Sequence, residues 1–534
     1  MTHETTAWTN GKIYTADEAF STVDSLVCRG GRIIYAGDRA GAERYIKEGA
    51  RVEDLRGAVV LPGLNDAHLH FLDVGRAAMR IDAHWKPKDE ILSSVREAAV
   101  RAGDGEWVLG RGWNHAVWNP PELPTRRELD EASPDHPAAL TRACGHMIWA
   151  NSAALRLAGI DSGTPDPVGG EYIRDASGDP TGVMTDAAMV PIYDAIPEDS
   201  PERVKDALAA AQRELFRFGV TSASDAGAYP DTIEIMRELY ESGRLFLRLD
   251  VMVKMRDGVR DTLGEAREFF SRGIETGLYG GRFQVRALKL LADGSLGARS
   301  ALLTDDYSDR PGHRGSGMFS DEELYELISA AYTSGFQASV HAIGDAANRQ
   351  VLDAYGRVIR GNPPKDHRCR VEHAQILRPE DVGKFAELGV IPSMQTVHAE
   401  SDANMAADRL GPERLKYAYA WRKLLGTGAV IPNGTDAPVE PADPWRALHA
   451  AVTGGGLRHE ERMTREEALR SYTNWPAYAS FEETAKGSLE EGKYADFIVI
   501  DRDYMTCPED EIREIKTLKT VAAGDTVYEY TGKS

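Results

Sequence analysis

Residues 58–70 read AVVLPGLNDAHLH, a β-rich apolar run that ends in two histidines one residue apart. Alternate residues of an extended chain project to the same side, so we expect the side chains of His68 and His70 to point the same way. Two neutral imidazoles side by side supply half of a four-coordinate metal shell. The stretch therefore predicts a buried strand that ends at a metal site.

Outward from this stretch, short apolar runs alternate with helical patterns. The helical patterns include 201–218, with a proline in its first turn, and 320–333, which opens with a capping box. Such alternation is typical of parallel βα units, and eight of them favour an α/β fold, a (β/α)8 TIM barrel. We predict the eight strands at 59–61, 220–224, 246–252, 285–291, 338–340, 369–372, 390–394 and 429–432.

Both ends of the chain carry a different pattern, short strand-like runs separated by glycine turns. We predict that the two ends pair into one small β-sandwich domain, formed by 1–57 plus 485–534. The runs are 8–15, 25–28 and 32–37 near one end, and 496–501 and 517–528 near the other.

The first two predicted barrel strands are separated by about 160 residues, which is too long for a single crossover connection. We therefore predict an inserted domain at 76–199, which leaves 58–75 plus 200–484 for the barrel. Because the insertion follows the carboxyl end of the first strand, we expect it to cover the active face.

Composition excludes several classes of partner. The chain has 534 residues and a formal charge of −21, and so acidic a surface repels nucleic acid and anionic membranes. We find neither a signal-peptide pattern near Met1 nor the roughly 18 apolar residues of a membrane span. The four cysteines are isolated, with no disulfide or zinc-thiolate spacing. We expect a cytoplasmic protein with a small-molecule substrate and no nucleic-acid or membrane partner, and a homodimer stays open.

Six residues suited to a two-metal hydrolytic site close separate β-rich runs. In a barrel the carboxyl ends of the strands converge over one mouth, so residues distant in sequence meet there. A single histidine or aspartate at a strand end is more often an ordinary polar residue, but five in this arrangement, led by His-x-His, favour metal binding. The six residues are His68, His70, Lys289, His341, His373 and Asp436.

Longer motifs surround these positions. They are RGWN at 111–114, K-x3-D-G-S at 289–295, VHAIGD at 340–345, VEH at 371–373 and GTDAP at 434–438. On these motifs the chain resembles the amidohydrolase superfamily over nearly its whole length, in the branch similar to N-substituted formamide deformylases and YtcJ-like metal-dependent hydrolases. One pattern departs from the branch: Gly-x-Leu-x-Glu there ends here in Asp186, whose shorter side chain puts a substrate contact in doubt.

The resemblance implies two metal positions. One is held by His68, His70 and Asp436, and the other by His341 and His373. A divalent cation lowers the pKa of a bound water from about 15.7 to about 7, which provides hydroxide near neutral pH. Imidazole and carboxylate ligands suit zinc, our first choice, and also iron, manganese, nickel or cobalt. As the last ligand, Asp436 can accept the proton of the attacking water and deliver it to the leaving nitrogen.

Lys289 has to lose a proton or be modified before it can bind a cation. A protonated amine carries no acceptor and repels a cation, whereas a neutral amine or a carbamate can act as a ligand. The resemblance implies a carboxylated Lys289 that bridges the two metals. The alternative is a buried salt bridge of Lys289 with Asp293 or another carboxylate, beside one metal.

Less specific sequence patterns suggest which residues contact the substrate. His146 follows a glycine as in the similar branch, although a structural or surface role is an equal alternative. Asp293 and Asp345 are expected to orient ligands through hydrogen bonds. The candidates for substrate contact are Trp113, His115, His146, Arg299 and His398.

These observations favour a metal-dependent hydrolase that cleaves a carbon–nitrogen bond other than a peptide bond, by resemblance an N-acyl or N-formyl amide. The same site could instead hydrolyse a lactone, a carbamate or another ester, or deaminate a ring. A different class of function is a catalytically silent barrel that serves as an interaction scaffold.

Overall fold

The computed structural model describes residues 5–84, 86–255 and 262–532. The chain forms two compact units. The first contains the residues up to Gly75 together with those from Leu208 onward, and the second is Arg76–Ala207.

The centre of the first unit is a parallel sheet that curves into a barrel. Each strand pairs in parallel with the next in chain order. Its strands are β1 (Leu64–Leu69), β2 (Val220–Ala228), β3 (Arg248–Lys254), β4 (Phe283–Leu291), β5 (Gln337–Ala342), β6 (Arg370–His373) and β7 (Ile391–Ser393). The α/β class and the (β/α)8-type barrel are confirmed. A short strand, Glu275–Gly277, adds antiparallel to β4.

The eighth predicted strand, 429–432, is not a regular strand. Pro432 has no N–H to donate, so a ladder cannot continue through it. Its carbonyl accepts from the Met394 N–H at 2.9 Å, and the Asn433 carbonyl accepts from the Ala67 N–H at 3.0 Å. Residues 432–437 therefore connect the β7 side to β1 through a few backbone hydrogen bonds and complete the ring.

The predicted first barrel strand, 59–61, is also wrong. Val59–Pro62 pairs with Lys12–Tyr14 and Phe497–Ile500 in a terminal sheet, and the barrel begins at Leu64. Gly63 separates the two strands at a crowded joint, where a Cβ atom would lie 2.2 Å from Thr221 Oγ1.

Helices connect the barrel strands. The capping box at Ser320 is present, because its backbone N–H donates to Glu323 Oε2 at 2.8 Å. Apart from Arg39–Lys47 in the terminal domain and the helices of the second unit given below, the described α-helices are Phe71–Met79, Pro201–Arg217, Pro230–Glu241, Thr262–Phe270, Leu278–Gly281, Asp321–Thr333, Asp345–Gly361, Val382–Leu388, Val397–Ser401, Ala406–Leu415, Trp421–Leu425, Pro444–Thr453, Arg465–Ser471 and Asn474–Ala479. No helix within the described residues is both long and apolar enough to cross a bilayer.

The two ends of the chain form a β-rich domain of two sheets, as predicted. Its core joins both ends, with the rings of Trp8 and Phe497 in edge contact at 5.1 Å. One sheet has the order Arg32–Gly37, Ser25–Arg29, Thr5–Thr9 and Arg51–Asp54, with helix Arg39–Lys47 beside it. The other has the order Asp525–Glu529, Thr517–Ala522, Phe497–Ile500, Val59–Pro62, Lys12–Tyr14 and Thr22–Val23.

The second unit, taken by itself, is a mixed sheet with helices and its own apolar core. Trp113, Trp118 and Trp149 pack against one another in that core. The strand order is Gly170–Arg174, Pro180–Asp186, Met147–Ala150, Ala138–Arg142, Val108–Trp113 and Ile81–Asp82. The helices are Lys88–Arg101, Arg126–Ala132, Ser152–Leu157 and Val190–Ala195.

Candidate active site

The barrel brings the six predicted residues to one mouth. His68 Nε2 and His70 Nε2 lie 3.5 Å and 3.2 Å from Asp436 Oδ1. Lys289 Nζ, from β4, lies 3.5 Å from His68 Nε2. These contacts join β1, β4 and the eighth segment at their carboxyl ends.

The two remaining histidines lie beside this group. The ring centroid of His373 is 4.8 Å from that of His68 and 4.5 Å from that of His341. Ligand atoms from His68, His373 and Asp436 all lie within 4.8 Å of one another, which is a spacing that could hold a metal ion. The residues thus form one continuous cluster.

Glu372 fixes the protonation of His68. Its Oε2 lies 2.5 Å from His68 Nδ1, and both side chains are fully buried. Because a carboxylate only accepts, we assign the proton to Nδ1, and Nε2 then carries a lone pair. Arg370 holds the carboxylate from its other side, with Nε 2.7 Å from Oε1. The lone pair of His68 therefore faces Asp436.

The other two histidines are oriented in the same manner. His373 Nδ1 lies 2.6 Å from Gln395 Oε1, so the free nitrogen of His373 is Nε2. His341 Nε2 lies 3.2 Å from the Gly294 carbonyl oxygen, so its free nitrogen is Nδ1. Ligand histidines in metal sites usually donate their other N–H to an oxygen of this kind.

Burial keeps these imidazoles neutral. It lowers the pKa of His68 to about 4 and that of His341 to about 3, with the positive charge of Lys289 adding to both effects. Burial also lowers the pKa of His373 far below its ordinary value. Burial alone would raise the pKa of Asp436, but the contact with His70 at 3.2 Å and the nearby imidazoles outweigh it, so the pKa is lowered. Neutral histidines and an ionised aspartate are the forms that bind a cation.

The donor set fits a divalent cation. Asp436 Oδ1 is buried and has no hydrogen-bond partner among the described residues. It faces the lone pair of His68, and two acceptors at 3.5 Å repel unless a cation lies between them. Two or three imidazoles and a carboxylate suit zinc and similar metals. The residues therefore favour a bound metal over a self-contained hydrogen-bond network.

Buried acids hold the backbone around the cluster. Asp66 accepts from the N–H groups of His68 and Thr435 at 3.0 Å and 3.1 Å, and burial raises the pKa of Asp66 to about 7. Asp293 accepts from the N–H groups of Ile343 and Gly344, and burial raises its pKa to about 7 as well. These contacts fix the ends of β1 and β5.

Asp345, the other predicted orienting acid, accepts from the Thr304 N–H at 2.9 Å. Like Asp293, it holds a loop by hydrogen bonding.

Sequence reasoning missed three of the supporting side chains. Asp66 stands two residues before His68, so the alternation that pairs His68 with His70 could have found it. Glu372 and Gln395 carried no such signal. Their contacts with His68 and His373 depend on how β1, β6 and β7 are placed around the ring.

A cavity of about 690 Å³ opens over the cluster within the first unit. Its walls combine apolar residues such as Leu296 and Val439 with polar ones such as Gln375. Five of the six predicted cluster residues line it, namely His70, Lys289, His341, His373 and Asp436. His398 lines it too, with Nε2 3.5 Å from Asp436 Oδ2, and its substrate contact stays a prediction.

Two predicted substrate contacts are not supported. Arg299 forms a two-pronged ion pair with Asp309, at 3.1 Å and 2.8 Å, and is not among the described residues that line the cavity. Trp113 has no exposed surface, and its Nε1 donates to the Leu140 carbonyl at 2.6 Å. Its large apolar ring stabilises the core of the second unit, so the prediction for Trp113 is wrong.

The remaining candidates for substrate contact, His115 and His146, lie in the second unit. His115 is partly buried, and burial followed by the charge of Arg142 lowers its pKa. His146 is exposed, and its Nδ1 lies 2.8 Å from Asp186 Oδ1. Their contact with substrate stays a prediction.

The family follows from the sequence match. The model of the amidohydrolase family matches residues 51–528. The chain belongs to this family. The amidohydrolase is accordingly a hydrolase of carbon–nitrogen bonds, and its His/His/Asp group supports a divalent metal.

Relatives of this amidohydrolase match over most of their length. Protein LONG AFTER FAR-RED 3 of Arabidopsis thaliana is 36% identical, over 92% of this chain and 86% of the relative. The putative amidohydrolase YtcJ of Bacillus subtilis is 34% identical, over 98% and 99%. The N-substituted formamide deformylase of Arthrobacter pascens is 30% identical, over 98% of each.

A solved structure agrees with the fold. An uncharacterised metal-dependent hydrolase from Pyrococcus furiosus superposes with a TM-score of 0.77 and 31% identity, covering 94% of this amidohydrolase and all of that chain.

Proposed function

We propose that this amidohydrolase hydrolyses an N-acyl or N-formyl amide of a small amine. The observation that carries the proposal is a cluster of histidine nitrogens with free lone pairs and an ionised Asp436, at the floor of a cavity of about 690 Å³. That volume lies within the range of small-molecule sites. The relative named N-substituted formamide deformylase supports a formamide among the possible amides.

In this proposal the ligands divide into two groups. His68, His70 and Asp436 hold one divalent cation, and His341 and His373 hold a second. Zinc is our first choice, because imidazole and carboxylate ligands suit it. When bound, the cation supplies Lewis acidity that activates a water and polarises the scissile carbonyl.

Lys289 is proposed to bridge the two groups as a carbamate. Burial lowers the pKa of its amine to about 8, so a usable fraction is neutral near neutral pH. The neutral Nζ forms a bond to the carbon of CO2, one C=O electron pair moves to oxygen, and the nitrogen releases a proton to solvent. The product is a carbamate anion whose two oxygens can bind cations, whereas the protonated amine cannot.

Asp436 is proposed to handle the proton of the reaction. Its Oδ1 faces His68 and would hold the cation, so Oδ2 would accept a proton from the attacking water. The same oxygen then returns the proton to the leaving nitrogen, which departs as a neutral amine. His398 Nε2, 3.5 Å from Oδ2, is placed to hold this oxygen during the transfer.

The test is a substrate screen of metal-replete enzyme with products identified by mass. The panel pairs each N-formyl and N-acyl amine with the matched ester, and adds lactones and carbamates. We expect amine plus acid from the amides, at rates that fall by at least about a hundredfold in Asp436→Ala. Turnover confined to esters, lactones or carbamates would contradict the proposal. So would amide turnover that Asp436→Ala leaves intact.

A further inference from the structure

Two further cavities lie at the opposite end of the barrel from the catalytic cavity. Arg248 begins β3 and Arg282 precedes β4, whereas the carboxyl end of β3, at Lys254, lines the catalytic cavity. A strand of this length separates the two ends by about 20 Å. The cavities measure about 410 Å³ and 210 Å³, and they adjoin because both are lined by Gly30, Gly31, Arg282 and Ala523. We call them together the arginine cleft.

The charged lining of the arginine cleft is almost entirely arginine. Asp525 is the one carboxylate residue among the described residues that line it, and no lysine lines it. This is unusual in a chain whose formal charge is −21. The arginines are Arg29, Arg32, Arg51, Arg248 and Arg282.

Only part of this positive charge is neutralised by the protein. Arg248 is buried and paired with Asp496, with Nε 2.6 Å from Oδ2, and Arg51 is paired with Glu53. In contrast, no carboxylate of the described residues lies within ion-pair distance of Arg29, Arg32 or Arg282. Among the described residues, three guanidinium groups of the cleft thus have no carboxylate within ion-pair distance.

Two of the guanidinium groups contact the same aromatic ring. The Cζ atoms of Arg248 and Arg32 lie 3.5 Å and 4.5 Å from the centroid of the Tyr494 ring. Contact with the aromatic ring helps to hold each cation in place. Two positive charges on one ring add to the positive potential of the cleft. Asp496 offsets the charge of Arg248 alone. A bound anion would complement the positive charge that remains.

We propose that the arginine cleft binds a small phosphorylated molecule. A planar guanidinium binds phosphate through two parallel hydrogen bonds, which explains why arginine rather than lysine lines the cleft. The larger cavity, about 410 Å³, has the size of a small-molecule site. The cleft shares no lining residue with the catalytic cavity, so the inference does not depend on the proposed substrate.

The test is calorimetric titration of the metal-replete enzyme with inorganic phosphate at constant ionic strength. The variants are Arg282→Gln, at a half-buried residue, and Arg29→Gln, at an exposed residue beside the Gly30–Gly31 turn. Arg96→Gln, on the exposed side of helix Lys88–Arg101, makes the same charge change elsewhere. All titrations are run at about pH 8, where phosphate is mostly a dianion, and succinate serves as a dicarboxylate of nearly equal charge.

We expect saturable binding of phosphate, weakened about tenfold or more by either cleft variant, because each charge-assisted hydrogen bond is worth about that factor. Arg96→Gln is expected to stay within about twofold of the wild type. Circular dichroism checks that each variant is folded, and Arg29→Gln carries the test if Arg282→Gln is not. The proposal is overturned if phosphate does not saturate, if both cleft variants bind like the wild type, if Arg96→Gln weakens binding equally, or if succinate binds more tightly than phosphate.

Discussion

Glu372 links the stability of the barrel to the chemistry of the cluster. Its carboxylate accepts from His68 and pairs with Arg370, and all three side chains have no exposed surface. Burial by itself would raise the pKa of Glu372, but Arg370 and then His68 outweigh it and hold the pKa well below its usual range. The carboxylate is therefore ionised in the folded protein and orients His68.

We expect Glu372→Gln to lower both the stability of the fold and the affinity for metal. The neutral amide leaves Arg370 buried without a counter-charge, which should cost about 3 kcal/mol of stability. Loss of the orienting carboxylate should weaken metal binding by about tenfold to a hundredfold. Thermal unfolding and equilibrium dialysis measure the two effects. Glu322→Gln is the control, since Glu322 forms an exposed pair with Arg357 and should change stability by less than about 1 kcal/mol. Equal effects in both variants would refute the role of Glu372.

The lowered histidine pKa values predict how metal affinity depends on pH. A histidine with a pKa of about 6.5 is mostly protonated at pH 5.5, whereas His68, at about 4, and His341, at about 3, stay neutral there. Protons therefore compete with the metal at these residues only below about pH 4.

Equilibrium dialysis against buffered zinc checks this expectation. Between about pH 7 and pH 5.5 we expect affinity to fall by at most about tenfold. A fall of about a thousandfold would mean that three histidines have ordinary pKa values and would contradict the account.

Lys289→Ala tests the bridge between the two metal positions. Without a carbamate at this position, we expect metal content to fall from two equivalents toward one, because the shared ligand is lost. Lys254→Ala is the matched control, since Lys254 pairs in register with Lys289 on the neighbouring strand and also lines the cavity. Metal analysis of the dialysed proteins measures the result, and unchanged loading in Lys289→Ala would remove the carbamate from the mechanism.

At the level of single residues, the sequence predicted the histidines and aspartate of the cluster, and Asp293 and Asp345 as supporting acids, but it missed Asp66, Glu372 and Gln395. The candidates follow strand ends, and strand ends are visible as breaks in apolar runs. Glu372 contacts His68 across 304 positions of sequence, and no local pattern encodes such a pair. Trp113 was misassigned because an aromatic residue of a domain core and one of a pocket wall look alike in sequence.

Among the elements, the turn from β5 into helix Asp345–Gly361 is tightly packed. Gly344 is the N-cap of this helix, and a Cβ atom there would lie 2.0 Å from the Leu302 carbonyl oxygen. The loop that contains Leu302 packs directly on the turn and cannot yield without moving Asp293 and its hydrogen bonds. This contact explains why the VHAIGD motif carries a glycine.

We expect Gly344→Ala to lower stability by about 1–3 kcal/mol, the usual cost of forcing extra volume into a packed site. Gly361→Ala, at the other end of the same helix, has no atom within 4 Å of its Cβ and should change stability by less than about 1 kcal/mol. Thermal unfolding of both variants measures the difference. Equal stability of the two would show that the turn is not crowded.

Most barrel strands could be predicted from sequence because a buried parallel strand is apolar on both faces and forms a continuous run. The first and the eighth could not. Val59–Pro62 and Leu64–Leu69 form one run in sequence, yet they belong to different sheets that meet at Gly63. The segment 429–432 is apolar like a strand, but Pro432 interrupts its hydrogen bonds.

For the molecule as a whole, distant parts of the chain complete one another. Val59–Pro62 pairs with Phe497–Ile500, so the two ends close a domain that neither end forms alone. The sequence predicted this pairing from similar β patterns at both ends. It could not give the sheet order, because strand partners are chosen by packing of the shared core rather than by local propensity.

The cluster depends on the same long-range closure. His68 and His70 at β1 meet Asp436 of the eighth segment, and the Asp436 N–H donates to the His68 carbonyl at 2.7 Å. The ring must therefore close before ligands from its first and last segments can share a cation.

Metal content of the purified protein, by mass spectrometry after dialysis against metal-free buffer, tests the central claim most directly. We expect at least one equivalent of divalent metal per wild-type chain, and at least one equivalent less in Asp436→Ala with circular dichroism unchanged. A wild-type protein that is folded yet retains no divalent metal, or an Asp436→Ala variant that retains as much as the wild type, would contradict the account.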